Sequence, residues 1–292
     1  MKDHVYFFSD KEYISKEEIL QKTGVRGRRA MELAELALPI LPGFIIDSEL
    51  ASNLKNIELT GHLKTFFKKL EAATNKRFDD PENPMLVKVV LSPSLVITTY
   101  PTLHNYGLTE KTLGGFMNFV GENFGRHELQ FLIKGNLEIE ARIAELENRG
   151  KDLERIKSAI ARLERELSAD IGAKEREKSI AAVLELLPDG FCRGSAYQQL
   201  ELALKRISHM LELDEMNNQD TALIIQPMVY GNYGKDSASG NFFTRNIVTG
   251  ERRLHGEFYQ EAFDSIGATG QDINTIAPSY LSKLEKIART VE

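Results

Sequence analysis

The order of hydrophobic and polar positions predicts alternating strands and helices. VYFF predicts a short strand near the start, and NPMLVKVVL has the apolar, β-branched composition of a buried strand. LPILPGFIID is predicted to be extended. In RRAMELAELAL and GHLKTFFKKLEAATNK, apolar residues recur every three or four positions, which predicts amphipathic helices. Further helices are predicted for TEKTLGGFMNFVGENFG, AYQQLELALKRISHMLEL and PSYLSKLEKIARTVE.

Residues 137–182 are rich in Glu, Lys and Arg and carry one apolar stripe. The stripe recurs at three- and four-residue spacing, which predicts a helix with a single buried face; its members are Leu153, Ile156, Ile160, Leu163 and Leu167. Gly150 and Gly172 are placed to break this segment into a helical hairpin. We favour a solvated helical subdomain with one buried face. A coiled coil that docks a protein partner is the alternative.

Small residues are concentrated near the end of the chain. The apolar run TALIIQPMVYG leads into GKDSASG, after which NFFT and RNIVTGE follow. This order predicts a strand, a loop, a second strand and a turn, and therefore a surface hairpin. A loop such as KDSASG can let backbone N–H groups approach a phosphate, but spacing alone favours an ordinary hairpin turn.

Composition excludes several classes of protein. The chain has 292 residues and a net charge of -6, which argues against a nucleic-acid or acidic-membrane partner. A single cysteine, Cys192, excludes an intramolecular disulfide and is predicted to be a small core residue. No apolar stretch is long enough for a membrane span, and the N-terminus lacks the features of a signal peptide. We therefore expect a cytoplasmic protein.

The familiar short motifs of catalysis are absent from the sequence. There is no Walker A loop, no GxGxxG, no HExxH and no CxxC pair. The six histidines are scattered without ligand spacing, so we expect no metal site built from histidine and cysteine.

Several stretches resemble, in one register, the pyruvate phosphate dikinase family. QPMVYGN, DSASG, FTRNIVTGE and LHGEF are similar to consecutive family motifs, including its Phe-Thr-Arg-Asn and Thr-Gly-Glu. GVRGRRAMELAELALPILPGFII and NPMLVKV resemble earlier parts of the same family domain. The resemblance covers most of the chain and points to the family's N-terminal nucleotide-binding domain.

The resemblance implies an α+β protein with an ATP-grasp-like fold. In that fold two α/β subdomains clamp ATP, and here a charged helical insertion is added. The expected division is an N-terminal α/β subdomain at 1–136, the insertion at 137–213, and the adenine-side hairpin region with its closing helix at 214–292. The implied cofactors are ATP and Mg²⁺. The implied partners are the nucleotide and a phosphohistidine swivelling domain or pyruvate-binding domain, in a longer chain or a separate protein.

The family's motifs also assign candidate binding residues. Arg26 aligns with the family's phosphate-contacting lysine, and Asp264 can partly stand in for a family glutamate. The remaining candidates lie in three places. Gln226, Met228 and Val229 lie on the strand expected to line the adenine pocket. Ser239 and Gly240 lie in the phosphate-covering loop, and Thr244 and Arg245 in the Thr-Arg-Asn signature. Alternatively, Arg245 and Asn246 tie the hairpin together through hydrogen bonds to its backbone.

Two phosphate-site arginines of the family have no counterpart. The family's Arg-Ser-Gly-Ala-Arg aligns with residues 90–94, where Val90 and Ser94 replace the arginines. Loss of one such cation can cost roughly 10³-fold in rate. The family's acidic Mg²⁺ ligands align beyond residue 292, so no metal ligand is assigned. We therefore predict a nucleotide-binding domain in which phosphotransfer is weak or lost. The alternatives are an active phosphotransferase domain completed by further C-terminal parts, and a non-catalytic scaffold that binds partners through its helical insertion.

Overall fold

The computed structural model describes residues 2–95, 102–214, 220–262 and 268–292. The chain forms two compact units, of which the first comprises residues 1–35 and 39–228 and the second comprises 36–38 and 229–292. Both units combine helices with antiparallel sheet, in agreement with the predicted α+β class. None of the helices in these ranges is long and apolar enough to cross a membrane.

The first unit is built on an antiparallel five-stranded sheet with the order β1-β2-β5-β3-β4. Its strands are β1 (Val5–Phe8), β2 (Gly43–Ile46), β3 (Val87–Ser92), β4 (Thr102–Tyr106) and β5 (Ala222–Pro227). The strands predicted from VYFF, LPILPGFIID and NPMLVKVVL are confirmed. Because β3 has a strand on each side and a helix packs against it, its residues are almost all buried.

Four helices of the N-terminal half precede β3: α1 (Glu17–Leu20), α2 (Gly24–Glu35), α3 (Ser48–Ala51) and α4 (Thr60–Thr74). Leu20 and Met31, from α1 and α2, pack with Ile45 and Val90 in one cluster on the sheet. Phe44 points to the opposite face, because side chains alternate along a strand. There its ring lies 5.5 Å from that of Phe67 on α4.

The charged segment is helical, as predicted, but its first helix begins before residue 137. The five helices of this region are α5 (Leu113–Val120), α6 (Glu122–Leu146), α7 (Gly150–Leu167), α8 (Ala173–Ala181) and α9 (Ala196–Leu213). The single helix predicted for TEKTLGGFMNFVGENFG is wrong, because Gly121, at φ +84°, separates α5 from α6. Gly150 begins α7 and Gly172 caps α8, so both glycines lie at predicted breaks.

The apolar stripe of α7 packs against other helices of the first unit. Ile156 and Leu163 are buried, and α7 packs along α6. Helix α6 is also bonded to α9, where both oxygens of Glu140 accept hydrogen bonds from Arg206 at 2.6 Å. Helix α7 therefore has the single buried face that its sequence predicts, whereas α6 is buried on several sides.

The second unit contains a small antiparallel sheet and the last helix. Its elements are β6 (Ala238–Phe243), β7 (His255–Gln260), β8 (Gln271–Asp272) and α10 (Pro278–Val291). Leu254, Phe258, Ile273 and Ala288 form its core. The predicted hairpin is therefore wrong in one respect, since β5 belongs to the sheet of the first unit. The observed hairpin joins β6 to β7, and its turn spans RNIVTGE.

Candidate functional site

The residues predicted to bind a nucleotide fall in both units. Arg26, Gln226 and Met228 belong to the first unit, whereas the second contains Val229, Ser239, Gly240, Thr244 and Arg245. Asp264 lies outside the described residues. Strand β5 ends at Pro227, so Gln226 is on the strand while Met228 and Val229 follow it, which corrects their predicted placement.

Arg26 lies in the first turn of α2, where it is bonded to the end of β3. Its backbone N–H and that of Gly27 both donate to the Ser92 hydroxyl at 3.0 Å. That hydroxyl, which is fully buried, donates to the carbonyl oxygen of Thr23 at 2.9 Å. The Arg26 guanidinium donates to the carbonyl oxygen of Leu91 at 3.1 Å. The first-turn N–H groups of a helix lack intrahelical partners, and here a serine from a strand satisfies two of them.

Gly24 allows this close approach between α2 and β3. It has φ +66°, in the left-handed region that favours glycine, and a Cβ added to it would lie 1.8 Å from the carbonyl oxygen of Ser92. The next N–H, of Val25, donates to the carbonyl oxygen of Pro93 at 2.9 Å. Protein atoms therefore occupy the helix N-terminus at the point where an anion would otherwise be held.

Toward the other end of β3, three polar residues lie on adjacent strands of the sheet. We call them the polar row: Gln226 on β5, Lys88 on β3 and His104 on β4. Lys88 and Gln226 are direct cross-strand partners, which places their Cβ atoms about 5 Å apart. The Gln226 side-chain amide donates to the carbonyl oxygen of Leu41 at 3.0 Å.

The three side chains of the polar row differ in charge. Burial lowers the pKa of Lys88 below its ordinary value. Burial, and then the charge of Lys88, lower the pKa of His104 to about 4, so this imidazole is neutral near pH 7. Within the described ranges, no carboxylate pairs with Lys88 and no acceptor receives a hydrogen bond from it. The row therefore holds one half-buried positive charge between two neutral groups.

Sequence comparison relates the chain to one group of enzymes. It is 41% identical over 288 residues to pyruvate, phosphate dikinase of Treponema pallidum, a match that covers 99% of this chain and 32% of the relative. It is 28% identical to pyruvate, phosphate dikinase of Rickettsia conorii, over 94% of this chain and 32% of that protein. The chloroplastic enzyme of Mesembryanthemum crystallinum is 25% identical, over 86% of this chain and 27% of the relative.

This chain is a relative of the pyruvate, phosphate dikinases. It spans about a third of the length of the curated relatives that it matches. No family model matches the chain.

The two positions at which the resemblance expects arginines, Val90 and Ser94, have contrasting surroundings. Val90 is 9% exposed and packs against Leu20 and Met31 in the apolar cluster. An arginine at this position would have to place its charge among apolar side chains, at a large desolvation cost. Ser94 lies in a bend after β3 and is partly exposed. At position 90, where the family pattern of the sequence resemblance has an arginine, this chain therefore has a core residue.

In the second unit, the second half of the predicted phosphate loop, KDSASG, is a strand. Ser239 and Gly240 lie on β6, where they pair with Tyr259 and Phe258 of β7, which corrects their predicted placement in a loop. A Cβ on Gly240 would lie 2.6 Å from the carbonyl oxygen of Glu257, so the two strands require a glycine here. The Ser239 hydroxyl is buried and has no hydrogen-bond partner within the described ranges. It is therefore the predicted residue of this strand with unused hydrogen-bonding capacity.

The Thr-Arg-Asn signature is bonded within the second unit. Two nitrogens of Arg245, Nε and Nη2, contact the Glu292 carboxylate at 2.8 and 3.0 Å. The Asn246 side-chain oxygen accepts from the N–H groups of Val248 and Thr249 at 2.9 and 3.0 Å, which holds the turn of the hairpin. The Asn246 bonds are of the kind that the structural alternative predicts, whereas Arg245 pairs mainly with Glu292 and reaches the hairpin backbone at the Gly250 carbonyl oxygen, at 3.4 Å. Thr244 instead lines a cleft of about 390 Å³, together with Arg252, Arg253 and Arg289.

Two further groups carry residue types that are common in catalytic or metal sites. Cys192 is buried, as predicted, and burial raises the pKa of its thiol to about 12, so it is not an activated nucleophile. His4, Asp47 and Glu49 offer three potential metal-ligand atoms within 4.8 Å of one another, a grouping that sequence spacing did not reveal. However, His4 bonds to Asp47 at 3.0 Å, and Glu49 pairs with Lys22 at 2.8 Å. Since Mg²⁺ prefers oxygen ligands, this group does not fit it.

Proposed function

We propose that this chain is a nucleotide-binding domain of the ATP-grasp type and that its ligand is ATP. Nearly the whole of this chain aligns with about a third of a dikinase. The dikinase-like motifs of this chain assign Gln226 to the adenine side. The observation that carries the proposal is the polar row, which sets Gln226 directly opposite Lys88, a cation with no counter-ion among the described residues, on the central strands of the sheet. ATP combines a base with a polyanion, and this row offers a partner to each.

We further propose that phosphotransfer by this chain alone is weak or lost. Phosphoryl transfer depends on cations that neutralise charge on the transferring group. Val90 and Ser94 replace two arginines of the family pattern, and the Arg26 guanidinium is bonded to the backbone of β3. The described residues include no group of oxygen ligands that suits Mg²⁺, so the proposal assigns no step to that ion. A histidine-bearing domain, in the same longer protein or in a separate one, is the proposed partner for any residual transfer.

A scaffold function for the helical insertion has less support. The apolar stripe that would dock a partner is covered, because Ile156 and Leu163 of α7 are buried against α6. The outer positions of α7 are charged and exposed, which is typical of a solvated helix face.

Calorimetry and a transfer assay together test the proposed function. Titration of the purified chain with ATP, with and without Mg²⁺, is expected to show saturable binding in the micromolar range. Incubation with γ-³²P-labelled and β-³²P-labelled ATP and a separately supplied histidine-bearing dikinase domain is expected to leave that domain unlabelled. Absence of heat and of thermal stabilisation at millimolar ATP would contradict the binding proposal. Label on the histidine domain would contradict the proposed loss of transfer and support the active alternative.

A further inference from the structure

Lys88 is a half-buried lysine without a counter-ion in the described part of the chain. It lies on β3, which has β5 on one side and β4 on the other, so its backbone is held inside the sheet. Its nearest polar neighbours in the row, Gln226 and His104, are neutral. A charge removed from water without a partner is costly, and a protein normally supplies a carboxylate nearby.

Lys134, another half-buried lysine of the same unit, is an example of a lysine in a structural ion pair. Its ammonium lies 2.8 Å from the Glu138 carboxylate and 3.3 Å from that of Glu164. Hydrogen bonds and charge from these two glutamates more than offset burial, so the pKa of Lys134 is raised, whereas that of Lys88 is lowered by burial alone. Two lysines that are both half-buried therefore have opposite electrostatic surroundings.

Lys88 lies close to a position at which the family pattern has an arginine, which suggests a function for a lysine without glutamate partners among the described residues. Side chains two residues apart on a strand project from the same face, so Lys88 shares a face with Val90 and Ser92. The family pattern places an arginine at Val90, roughly 7 Å farther along the strand from Lys88. The end of this face near Val90 is closed by α1 and α2, whereas Lys88 stands at its polar end.

We propose that Lys88 binds the phosphate groups of the nucleotide and that the cationic subsite has moved along β3 from Val90 to Lys88. This inference rests on the proposed nucleotide-binding function and names the residue that holds the anion. The ligand would supply the negative charge that the described residues do not. An ammonium is a point charge without the planar fork of arginine, so this subsite attracts the polyphosphate without fixing the geometry of a transferring group. Binding without efficient transfer follows from that difference.

Calorimetry on a Lys88→Met variant tests the inference with two ligands, ATP and adenosine. The variant is expected to lose roughly 10- to 100-fold in ATP affinity and to keep its adenosine affinity, because only ATP carries phosphate. A Lys88→Arg variant is expected to retain most of the ATP affinity. Lys157→Met, which changes an exposed lysine of α7, serves as the matched control and is expected to leave both affinities unchanged.

The stability of the same variant separates a binding role from a structural one. Removing an unpaired half-buried charge is expected to raise the melting temperature of the nucleotide-free protein. An unchanged ATP affinity in Lys88→Met would overturn the inference while leaving the binding function intact. If the unmodified protein bound neither ATP nor adenosine, the proposed function itself would fall, and the inference with it. A lower melting temperature together with equal losses for both ligands would show a structural role and would also overturn the inference.

Discussion

Replacing Ser92 with alanine should release the first turn of α2 from the sheet. The Ser92 hydroxyl accepts from two backbone N–H groups, those of Arg26 and Gly27, and donates to one carbonyl oxygen. The site is fully buried, so water cannot readily replace the lost acceptor. A helix-capping side chain contributes about 1 kcal/mol, and a buried unsatisfied donor costs about 1–3 kcal/mol. We therefore expect a local loss of about 2 kcal/mol.

Amide hydrogen exchange is the appropriate assay, because a chain with two units need not unfold in one step. A loss of about 2 kcal/mol corresponds to exchange that is roughly 30-fold faster at the Arg26 and Gly27 amides. Ser168→Ala is the matched control, since the Ser168 hydroxyl is exposed and donates to a single carbonyl oxygen, that of Glu164. Protection of the two amides that changes by less than about threefold in Ser92→Ala would refute the assignment of Ser92 as the cap of α2.

Two further substitutions test the packing of the first unit, one at Gly24 and one at His104. Gly24→Ala places a Cβ against a strand carbonyl oxygen at a left-handed φ, so it should destabilise the protein by more than about 3 kcal/mol in thermal unfolding. The control Gly61→Ala, in open space on α4, should be neutral or stabilising by up to about 1 kcal/mol. Equal effects of the two substitutions would contradict the close packing of α2 on β3. The His104 imidazole has a pKa of about 4 in the folded protein and 6.5 as the ordinary value, so the unfolded chain takes up this proton first, and stability should fall as the pH drops from about 6.5 to about 4. Urea unfolding at several pH values should show a smaller fall in His104→Asn than in the unmodified protein or in the exposed control His62→Asn, and parallel profiles for all three would contradict the burial of this imidazole.

Local patterns predicted most strands and helices because they depend on side chains that are close in sequence. The run NPMLVKVVL indicated a buried strand through its β-branched residues, and the stripe on α7 indicated its one buried face. The spacing of Ser15 and Glu18 also predicts a capping box, but none forms there. The first helix is capped instead at Lys16 without a side-chain bond, and the capping box forms at Ser195 and Gln198.

The candidate site was harder to predict because it depends on strand order. Because β5 pairs with β2 and β3, rather than with the strand that follows it in sequence, Gln226 belongs to a different sheet from Ser239 and Gly240. Lys88 was missed for the same reason. A lysine in an apolar run is ordinary on an edge strand, and only the sheet order places it on an interior strand without a counter-ion among the described residues. Family resemblance gave the positions of lost arginines, but it contained no information about a cation two residues away.

The late position of β5 in the chain has a consequence for folding. This strand lies between β2 and β3, yet it is synthesised about 130 residues after β3. Until it emerges from the ribosome, neither of those strands has the neighbour that the finished sheet provides, and their apolar edges are open to other chains. Closing the sheet requires contacts between distant parts of the sequence, which slows folding. The helices that occupy the interval between β4 and β5 can form from local contacts and bring that strand to the gap that it fills.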